Sequence, residues 1–237
     1  MSHPFRFKKF EIHQDQCAMK IGTDAVLLGA WSNIEANPYS ILDIGAGTGI
    51  LALMLAQRTN AEIIDAIEIV ENAYEQCVEN FENSPWNDRL FCYHASLEEF
   101  TEEIDDKYDL IISNPPFYSE EYKSNNKERD LARFEDALPF EQLLYSVAKL
   151  LDPKGSFNVI IPFETENHFI ALSKNYNLLP AEILRVKGTP ESKTTRSLIS
   201  FSFDKKAIKS NELVIEISRH NYTKDYIRLT KDFYLKM

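Results

Sequence analysis

The chain has 237 residues, 44% of them apolar, and a formal net charge of −11 at pH 7. This length suits one α/β domain, and the apolar runs are too short for a membrane-spanning helix. The N-terminal residues lack the apolar stretch of a secretory signal, and the three cysteines form neither a disulfide framework nor a metal-ligand pattern. We therefore expect a cytoplasmic protein that binds neither a membrane nor a metal.

The charge is distributed unevenly along the chain. Residues 185–237 carry 12 Lys and Arg against six Asp and Glu, whereas residues 1–184 carry 14 against 31. A strongly acidic protein repels nucleic-acid phosphates. The basic C-terminal region nevertheless permits a polyanion to bind on one face, so the composition does not exclude RNA.

Short β-branched runs alternate with longer helical patterns, which is typical of βαβ units. The predicted strands are residues 41–44, 63–69, 90–93, 108–113, 157–161, 183–187 and 197–203, with 213–217 as a candidate further edge strand. The predicted helices are residues 50–58, 71–83, 139–151 and 164–175. This pattern predicts an α/β fold with a doubly wound, mostly parallel seven-stranded sheet and helices on both faces.

No linker or internal repeat divides the chain, so residues 1–237 are expected to form a single domain. Within it, an N-terminal segment of residues 1–38 precedes an α/β core of residues 39–237. Residues 118–138 are polar and show no periodicity. A stretch of this kind inside a compact domain is usually a functional lid or disordered.

A glycine-rich turn follows the first core strand. Asp43, Gly45, Gly47 and Gly49 lie between that strand and a helix, so the backbone can turn tightly and approach a ligand. Glu68 ends the next strand, nineteen residues after Gly49, where a doubly wound fold places a carboxylate on ribose hydroxyls. These residues predict a nucleotide-like cofactor.

The spacing Asp-x-Gly-x-Gly-x-Gly resembles motif I of the class I methyltransferases, which have a Rossmann-like fold, rather than the dinucleotide fingerprint of an NAD oxidoreductase. The resemblance implies S-adenosyl-L-methionine as cofactor. It implies contacts from Gly45, Gly47 and Glu68 first, with Asp43 and Gly49 close by. Ser96 stands where the family often has an Asp near the adenine ring, and this departure leaves the adenine contact open.

Asn114, Pro115, Pro116 and Phe117 follow the fourth core strand, at the sheet edge where doubly wound folds bind ligands. The Asn114 side-chain carbonyl and the Pro115 carbonyl can each accept an N–H of a planar amine, whose lone pair is then free to attack a methyl group. The prolines fix φ, and Phe117 offers a face on which a base can stack. The segment predicts direct in-line methyl transfer to such an amine.

This tetrapeptide resembles the catalytic motif of amino-methyltransferases that act on adenine N6, guanine N2 or protein glutamine N5. The motif alone leaves these three acceptors open. Guanine-N2 methylation of rRNA and glutamine-N5 methylation of a protein are therefore kept as alternatives. A cofactor-binding module without catalysis is a further alternative, although Asn114 and the glycines are present.

Residues 10–31, 129–133, 138–143 and 222–237 resemble the bacterial tRNA1(Val) (adenine(37)-N6)-methyltransferases, so the likeness spans nearly the whole chain. The resemblance implies N6-methylation of an adenine in the anticodon loop of a tRNA, with the N-terminal segment covering the cofactor. It places Thr23 and Asp24, after Gly22, near the methionine end of the cofactor.

The resemblance makes tRNA the expected partner. Phosphate contacts supply affinity for RNA, and an unpaired loop base costs little to extrude. The candidate phosphate-binding residues are Arg129, Arg133, Lys187, Lys193 and Arg196. The strong overall acidity is a departure from many nucleic-acid-acting relatives and leaves the size of the RNA contact open. The sequence does not fix the oligomeric state, and a monomer is the simplest expectation.

Overall fold

An extended sheet forms the centre of the computed structural model, which describes residues 3–17, 19–116 and 138–236. The strands are β1 (Phe5–Arg6), β2 (Glu11–Ile12), β3 (Ser40–Ile44), β4 (Ile63–Glu68), β5 (Leu90–His94), β6 (Tyr108–Ser113), β7 (Leu151–Pro162), β8 (Leu179–Lys187), β9 (Thr194–Ser202), β10 (Lys209–Val214), β11 (Glu216–Ser218) and β12 (Asn221–Tyr222). Eight of them form one sheet in the order β10-β8-β9-β7-β6-β3-β4-β5. All neighbouring pairs are parallel except those of β9, which is antiparallel to β7 and β8.

Helices cover both faces of this sheet. They are α1 (Thr23–Trp31), α2 (Ile50–Arg58), α3 (Glu71–Glu82), α4 (Leu97–Glu103), α5 (Phe140–Leu150), α6 (Glu166–Ser173) and α7 (Lys224–Thr230). The first three pack with α7 into one apolar cluster, and α4, α5 and α6 pack into the cluster on the opposite face. The doubly wound α/β prediction is therefore confirmed. None of the helices in the described part of the chain is both long and apolar enough to cross a bilayer.

The sheet has eight strands rather than the expected seven, and the candidate edge strand of residues 213–217 overlaps the eighth only at Leu213 and Val214. The eighth strand, β10, pairs in parallel with β8 over six residue pairs, from Lys209 opposite Glu182 to Val214 opposite Lys187. The first four residues of β10 are exposed and polar. They lack the alternation of apolar and polar residues that marks a strand, and only backbone pairing with β8 defines this edge.

Strand β7 begins earlier than the predicted strand of residues 157–161. Its first residues include Asp152–Gly155, whose Asp-Pro-Lys-Gly sequence is typical of a turn, and its pairing with β6 is irregular between Tyr108 and Leu110. The Lys154 N–H donates to the Asp152 carboxylate (2.8 Å), which closes a local turn within the strand. A Cβ on Gly155 would lie 2.9 Å from two backbone oxygens of β6, so this bulge depends on glycine.

The N-terminal segment contributes to the same apolar core as the rest of the chain. Helix α1 packs on α2, where a Cβ on Gly29 would lie 2.7 Å from the Met54 sulfur. The short hairpin of β1 and β2 packs on the C-terminal residues, and the Lys8 N–H donates to the Phe233 carbonyl (2.8 Å). The two ends of the chain are thus held side by side.

Candidate active site

The glycine turn after β3 is formed by three residues in the left-handed region. Gly45, Gly47 and Gly49 have φ values of 72°, 56° and 78°. Nothing lies within 4 Å of a Cβ added to Gly45 or Gly47. Glycine is therefore required at these two positions by backbone conformation rather than by crowding, and the turn leaves its backbone open to a ligand.

Gly49 has a second reason for being glycine, besides its positive φ. A Cβ at this position would lie 2.5 Å from Cε1 of Phe81 and 2.9 Å from the Cys77 sulfur, both on α3. Gly49 thus lets the start of α2 approach α3 closely. This packing role is sufficient to explain the residue, whose contact with a cofactor stays a prediction.

Glu68 joins the end of β4 to the glycine turn. One carboxylate oxygen accepts a hydrogen bond from the Gly47 N–H (2.8 Å), and the other accepts one from the Val70 N–H (2.9 Å). The side chain is mostly buried, with 8% exposure. Each carboxylate oxygen keeps a second lone pair, so Glu68 can still accept hydrogen bonds from the hydroxyls of a ribose.

Asp43, in the last part of β3, is fully buried. One carboxylate oxygen accepts the Ala52 N–H (3.2 Å), and the other has no hydrogen-bond partner within the described residues. The pKa of Asp43 is raised to about 7: desolvation is the largest cause, the hydrogen bond from Ala52 lowers it, and the Glu68 carboxylate adds a smaller rise. A buried oxygen without a donor fits a cationic ligand group, such as an ammonium.

The acceptor segment begins directly beside the glycine turn. Ser113, the last residue of β6, pairs with Ile44 of β3, and its hydroxyl donates to the Ile44 carbonyl (2.9 Å). Gly45 and Asn114 therefore leave adjacent parallel strands at the same edge of the sheet. Pro115 is buried and Pro116 half-buried, which fixes the backbone that carries Asn114. Phe117 lies outside the described residues.

Ser96 caps α4. Its hydroxyl accepts the Glu99 N–H (3.1 Å) and donates to the Glu99 carboxylate (2.8 Å), which in turn accepts the Ser96 N–H (2.9 Å). This capping box occupies the hydroxyl. Close to it, His94 Nε2 lies 3.0 Å from the Ile69 carbonyl, and the His94 ring stacks on Tyr74 with a centroid distance of 5.1 Å. An adenine contact by Ser96 stays a prediction.

One residue expected to contact the cofactor forms an ion pair with one expected to contact RNA. Asp24, in the first turn of α1, accepts a hydrogen bond from Arg196 Nε (2.7 Å), while Thr23 is exposed. Of the other candidate phosphate-binding residues, Lys187 pairs with Glu212 (2.9 Å) and Lys193 is exposed. Arg129 and Arg133 lie outside the described residues.

Sequence reasoning missed two amides on α3, Gln76 and Asn80. Both side chains are buried, and both bind backbone groups of the N-terminal segment. The available signal was their spacing, because residues four apart share one face of a helix and here flank the apolar Cys77. Among the described residues, no group of three or more His, Cys, Asp and Glu could hold a metal.

The chain is similar to known methyltransferases over its whole length. Residues 20–162 match the family model described as "Methyltransferase small domain". A tRNA1(Val) (adenine(37)-N6)-methyltransferase of Flavobacterium johnsoniae is 62% identical, covering 98% of this chain and 100% of the relative. The enzyme of the same name from Bacteroides fragilis is 44% identical, covering 100% of both chains.

Solved structures show the same fold at low identity. A predicted O-methyltransferase from Agrobacterium tumefaciens superposes with a TM-score of 0.69 at 18% identity, covering 89% of this chain and 96% of that one. A ribosomal protein L11 methylase from Lactobacillus delbrueckii gives 0.52 at 17% identity, covering 75% and 77%. Because relatives of that name are 62% and 44% identical over essentially their full lengths, the chain belongs to the tRNA1(Val) (adenine(37)-N6)-methyltransferase family.

Proposed function

We propose that this chain transfers a methyl group from S-adenosyl-L-methionine to N6 of adenine 37 in the anticodon loop of tRNA1(Val). The pairing of Ser113 with Ile44 carries the proposal. Because these two residues end neighbouring strands, the glycine turn and Asn114 that follow them lie at the same edge of the sheet. A methyl donor at the turn and an amine at Asn114 would then be neighbours, as in-line transfer requires. The 62% identity to a named relative supports the choice of adenine.

The residues at the glycine turn fit the proposed cofactor. S-adenosyl-L-methionine supplies a methyl group already activated by its sulfonium, so no metal is needed to create an electrophile. Glu68 would accept hydrogen bonds from the ribose hydroxyls, and the open backbone at Gly45 and Gly47 would face the methionine moiety. The buried Asp43 oxygen, which has no hydrogen-bond partner among the described residues, would attract the ammonium group of that moiety. Thr23 and Asp24 would cover the same end from the N-terminal segment.

Asn114 and Pro115 would prepare the acceptor. The exocyclic amine of adenine is a poor nucleophile because its lone pair is delocalised into the ring. When the side-chain carbonyl of Asn114 and the carbonyl of Pro115 each accept one N–H, the nitrogen is favoured in a pyramidal geometry with its lone pair toward the methyl group. After transfer, the nitrogen carries one proton too many and loses it to solvent. Phe117 would stack on the extruded base.

The RNA would approach along the basic residues of the C-terminal half. Lys193 is exposed and forms no ion pair with the described residues, so it could meet a phosphate, whereas Lys187 and Arg196 already pair with Glu212 and Asp24. A phosphate contact by either of these two would have to displace a carboxylate. Arg129 and Arg133 are further candidates from the segment outside the described residues. The reaction would take place in the cytoplasm, where tRNA is modified.

Methylation of defined transcripts tests the proposal. The protein is incubated with labelled S-adenosyl-L-methionine and an unmodified tRNA1(Val) transcript, and the RNA is then digested to nucleosides. Label is expected in N6-methyladenosine, and it should disappear when adenine 37 is replaced by guanine. Label confined to N2-methylguanosine would instead indicate the guanine enzyme, and label in added protein would indicate glutamine methylation.

A further inference from the structure

We name residues 13–17 and 19–24 the strap. The start of the strap is bound to α3. His13 binds Asn80 of α3 through both its backbone N–H and its carbonyl. Farther along, the pKa of the Cys17 thiol is raised to about 11, mainly by burial and also by the carboxylates of Glu68 and Asp15. The Gln16 N–H donates to Gln76, one turn nearer the start of α3 than Asn80, and α3 follows β4 directly in the chain. The strap therefore runs along α3 toward the carboxyl end of β4, where Glu68 lies.

The last part of the strap is held on the opposite side of the active site. Asp24 accepts a hydrogen bond from Arg196 (2.7 Å), and Arg196 pairs with Pro162 at the carboxyl end of β7. In the sheet, β3 and β6 lie between β4 and β7. The strap thus runs from the Glu68 side to the β7 side, across the strand ends that carry the glycine turn and Asn114.

Asn80 joins the strap to the glycine turn. Its Oδ1 accepts the His13 N–H (2.8 Å), and its Nδ2 donates to the His13 carbonyl and to the Thr48 carbonyl (2.9 Å each). The side chain is 1% exposed. Thr48 lies between Gly47 and Gly49, so one buried amide fixes two segments that are 35 residues apart in the sequence.

Gln76 gives the strap a second attachment one helical turn earlier. It is fully buried, its Oε1 accepts the Gln16 N–H (3.1 Å), and its Nε2 donates to Glu79 (2.7 Å). The spacing of four residues places Gln76 and Asn80 on one face of α3. Asn83, three residues beyond Asn80, is exposed and donates to the Glu79 carbonyl of its own helix. It makes a matched control.

We propose that Asn80 is a positioning residue for the cofactor: it holds the strap and the glycine turn in the relative arrangement that S-adenosyl-L-methionine binds, with Gln76 in support. This inference rests on the proposed function, because it assigns the space between strap and turn to that cofactor. A binding site whose two walls are already fixed loses less conformational freedom when the ligand binds. Without Asn80, the ligand itself must order the strap, and affinity falls.

The first experiment measures binding rather than turnover. Calorimetry with S-adenosyl-L-methionine compares the full-length wild type with Asn80→Ala, Gln76→Ala and Asn83→Ala. We expect the dissociation constant to rise about tenfold or more for Asn80→Ala and about threefold for Gln76→Ala, since two and one strap contacts are lost. Asn83→Ala should stay within about twofold of the wild type. At saturating cofactor, kcat of Asn80→Ala should be close to that of the wild type.

The second experiment reports on the strap directly, through Cys17. Alkylation by iodoacetamide at pH 8 is followed by peptide mass spectrometry, with the buried Cys77 as the internal reference. Release of the strap would return the pKa of Cys17 from about 11 toward its ordinary 9.0. The thiolate fraction then rises up to about 100-fold. Asn80→Ala should therefore speed alkylation of Cys17 but not of Cys77, and global unfolding would expose both.

The outcomes separate this inference from the proposed function. A wild type that does not bind S-adenosyl-L-methionine refutes the proposed function and, with it, this inference. A wild type that binds, together with an Asn80→Ala variant of unchanged affinity and Cys17 reactivity, refutes only the positioning role. If Asn80→Ala does not fold, Gln76→Ala decides: Cys17 reactivity and affinity equal to those of the wild type overturn the proposal.

Discussion

The buried carboxylate of Asp43 gives a stability prediction with a definite sign. The substitution Asp43→Asn removes the ionisable group and keeps an oxygen that can accept the Ala52 N–H. In the folded protein the pKa of Asp43 is raised from 3.8 to about 7, mainly by desolvation. A raised folded-state pKa means that the contribution of this group to stability is complete below pH 3.8 and is lost as pH rises through 7.

The magnitude follows from the size of the shift. One pKa unit corresponds to about 1.4 kcal/mol, so ionisation of Asp43 lowers the free energy of unfolding by at most about 4 kcal/mol between pH 4 and pH 8. The asparagine variant escapes this loss. It instead places an amide N–H₂ where an oxygen has no partner, which costs about 1–3 kcal/mol at every pH. We therefore expect the free energy of unfolding of Asp43→Asn to rise steadily, relative to that of the wild type, from pH 4 to pH 8.

Urea denaturation of both proteins at unit pH steps, without ligand, measures this difference. The quantity of interest is the variant's free energy of unfolding minus that of the wild type, plotted against pH. It should rise by up to about 4 kcal/mol and level off above pH 8. A difference that stays constant across this range would refute the reasoning, because it would mean that Asp43 titrates equally in the folded and unfolded states.

Four further substitutions test other parts of the structure. Asn114→Ala should lower kcat for tRNA methylation by about 10²–10³ and leave the dissociation constant of S-adenosyl-L-methionine within about threefold, as rapid-quench kinetics and calorimetry would show. Gly49→Ala should cost about 3 kcal/mol or more in urea denaturation, because its Cβ would overlap Phe81, while Gly47→Ala should cost only about 1–2 kcal/mol of backbone strain; equal losses would contradict this. Glu166→Ala, which removes the buried partner of Arg185, should cost only about 1 kcal/mol at pH 7, because Arg185 is 37% exposed and stays solvated; no measurable loss would count against a structural role for that ion pair.

Apolar patterning was sufficient to predict the central strands, because β3, β4, β6 and β7 are buried and therefore built from apolar runs. It was insufficient at β10, whose position depends on backbone hydrogen bonds to β8 while its side chains face solvent. The same limit applies at Asp152–Gly155, where a turn sequence is contained within a strand as a bulge. Local sequence describes burial well and backbone pairing poorly.

The candidate site shows a similar division. The adjacency of Glu68 and the glycine turn followed from strand order, because carboxyl ends of parallel strands meet at one edge. The ion pair of Asp24 with Arg196 joins residues 172 positions apart, and no local pattern indicates it. Ser96 has a second role that a local pattern did indicate: the Glu three residues later marks a capping box, which the structure contains.

The eighth strand has a consequence for how the protein behaves in a crowded solution. Without β10, strand β8 would end the sheet with a row of unpaired backbone groups beside apolar side chains such as Val186, a template on which another chain could add a strand. β10 instead forms this edge, and its exposed residues include Lys209 and Glu212. Charged side chains on a terminal strand disfavour the docking of a further strand, so β10 would protect the sheet from aggregation.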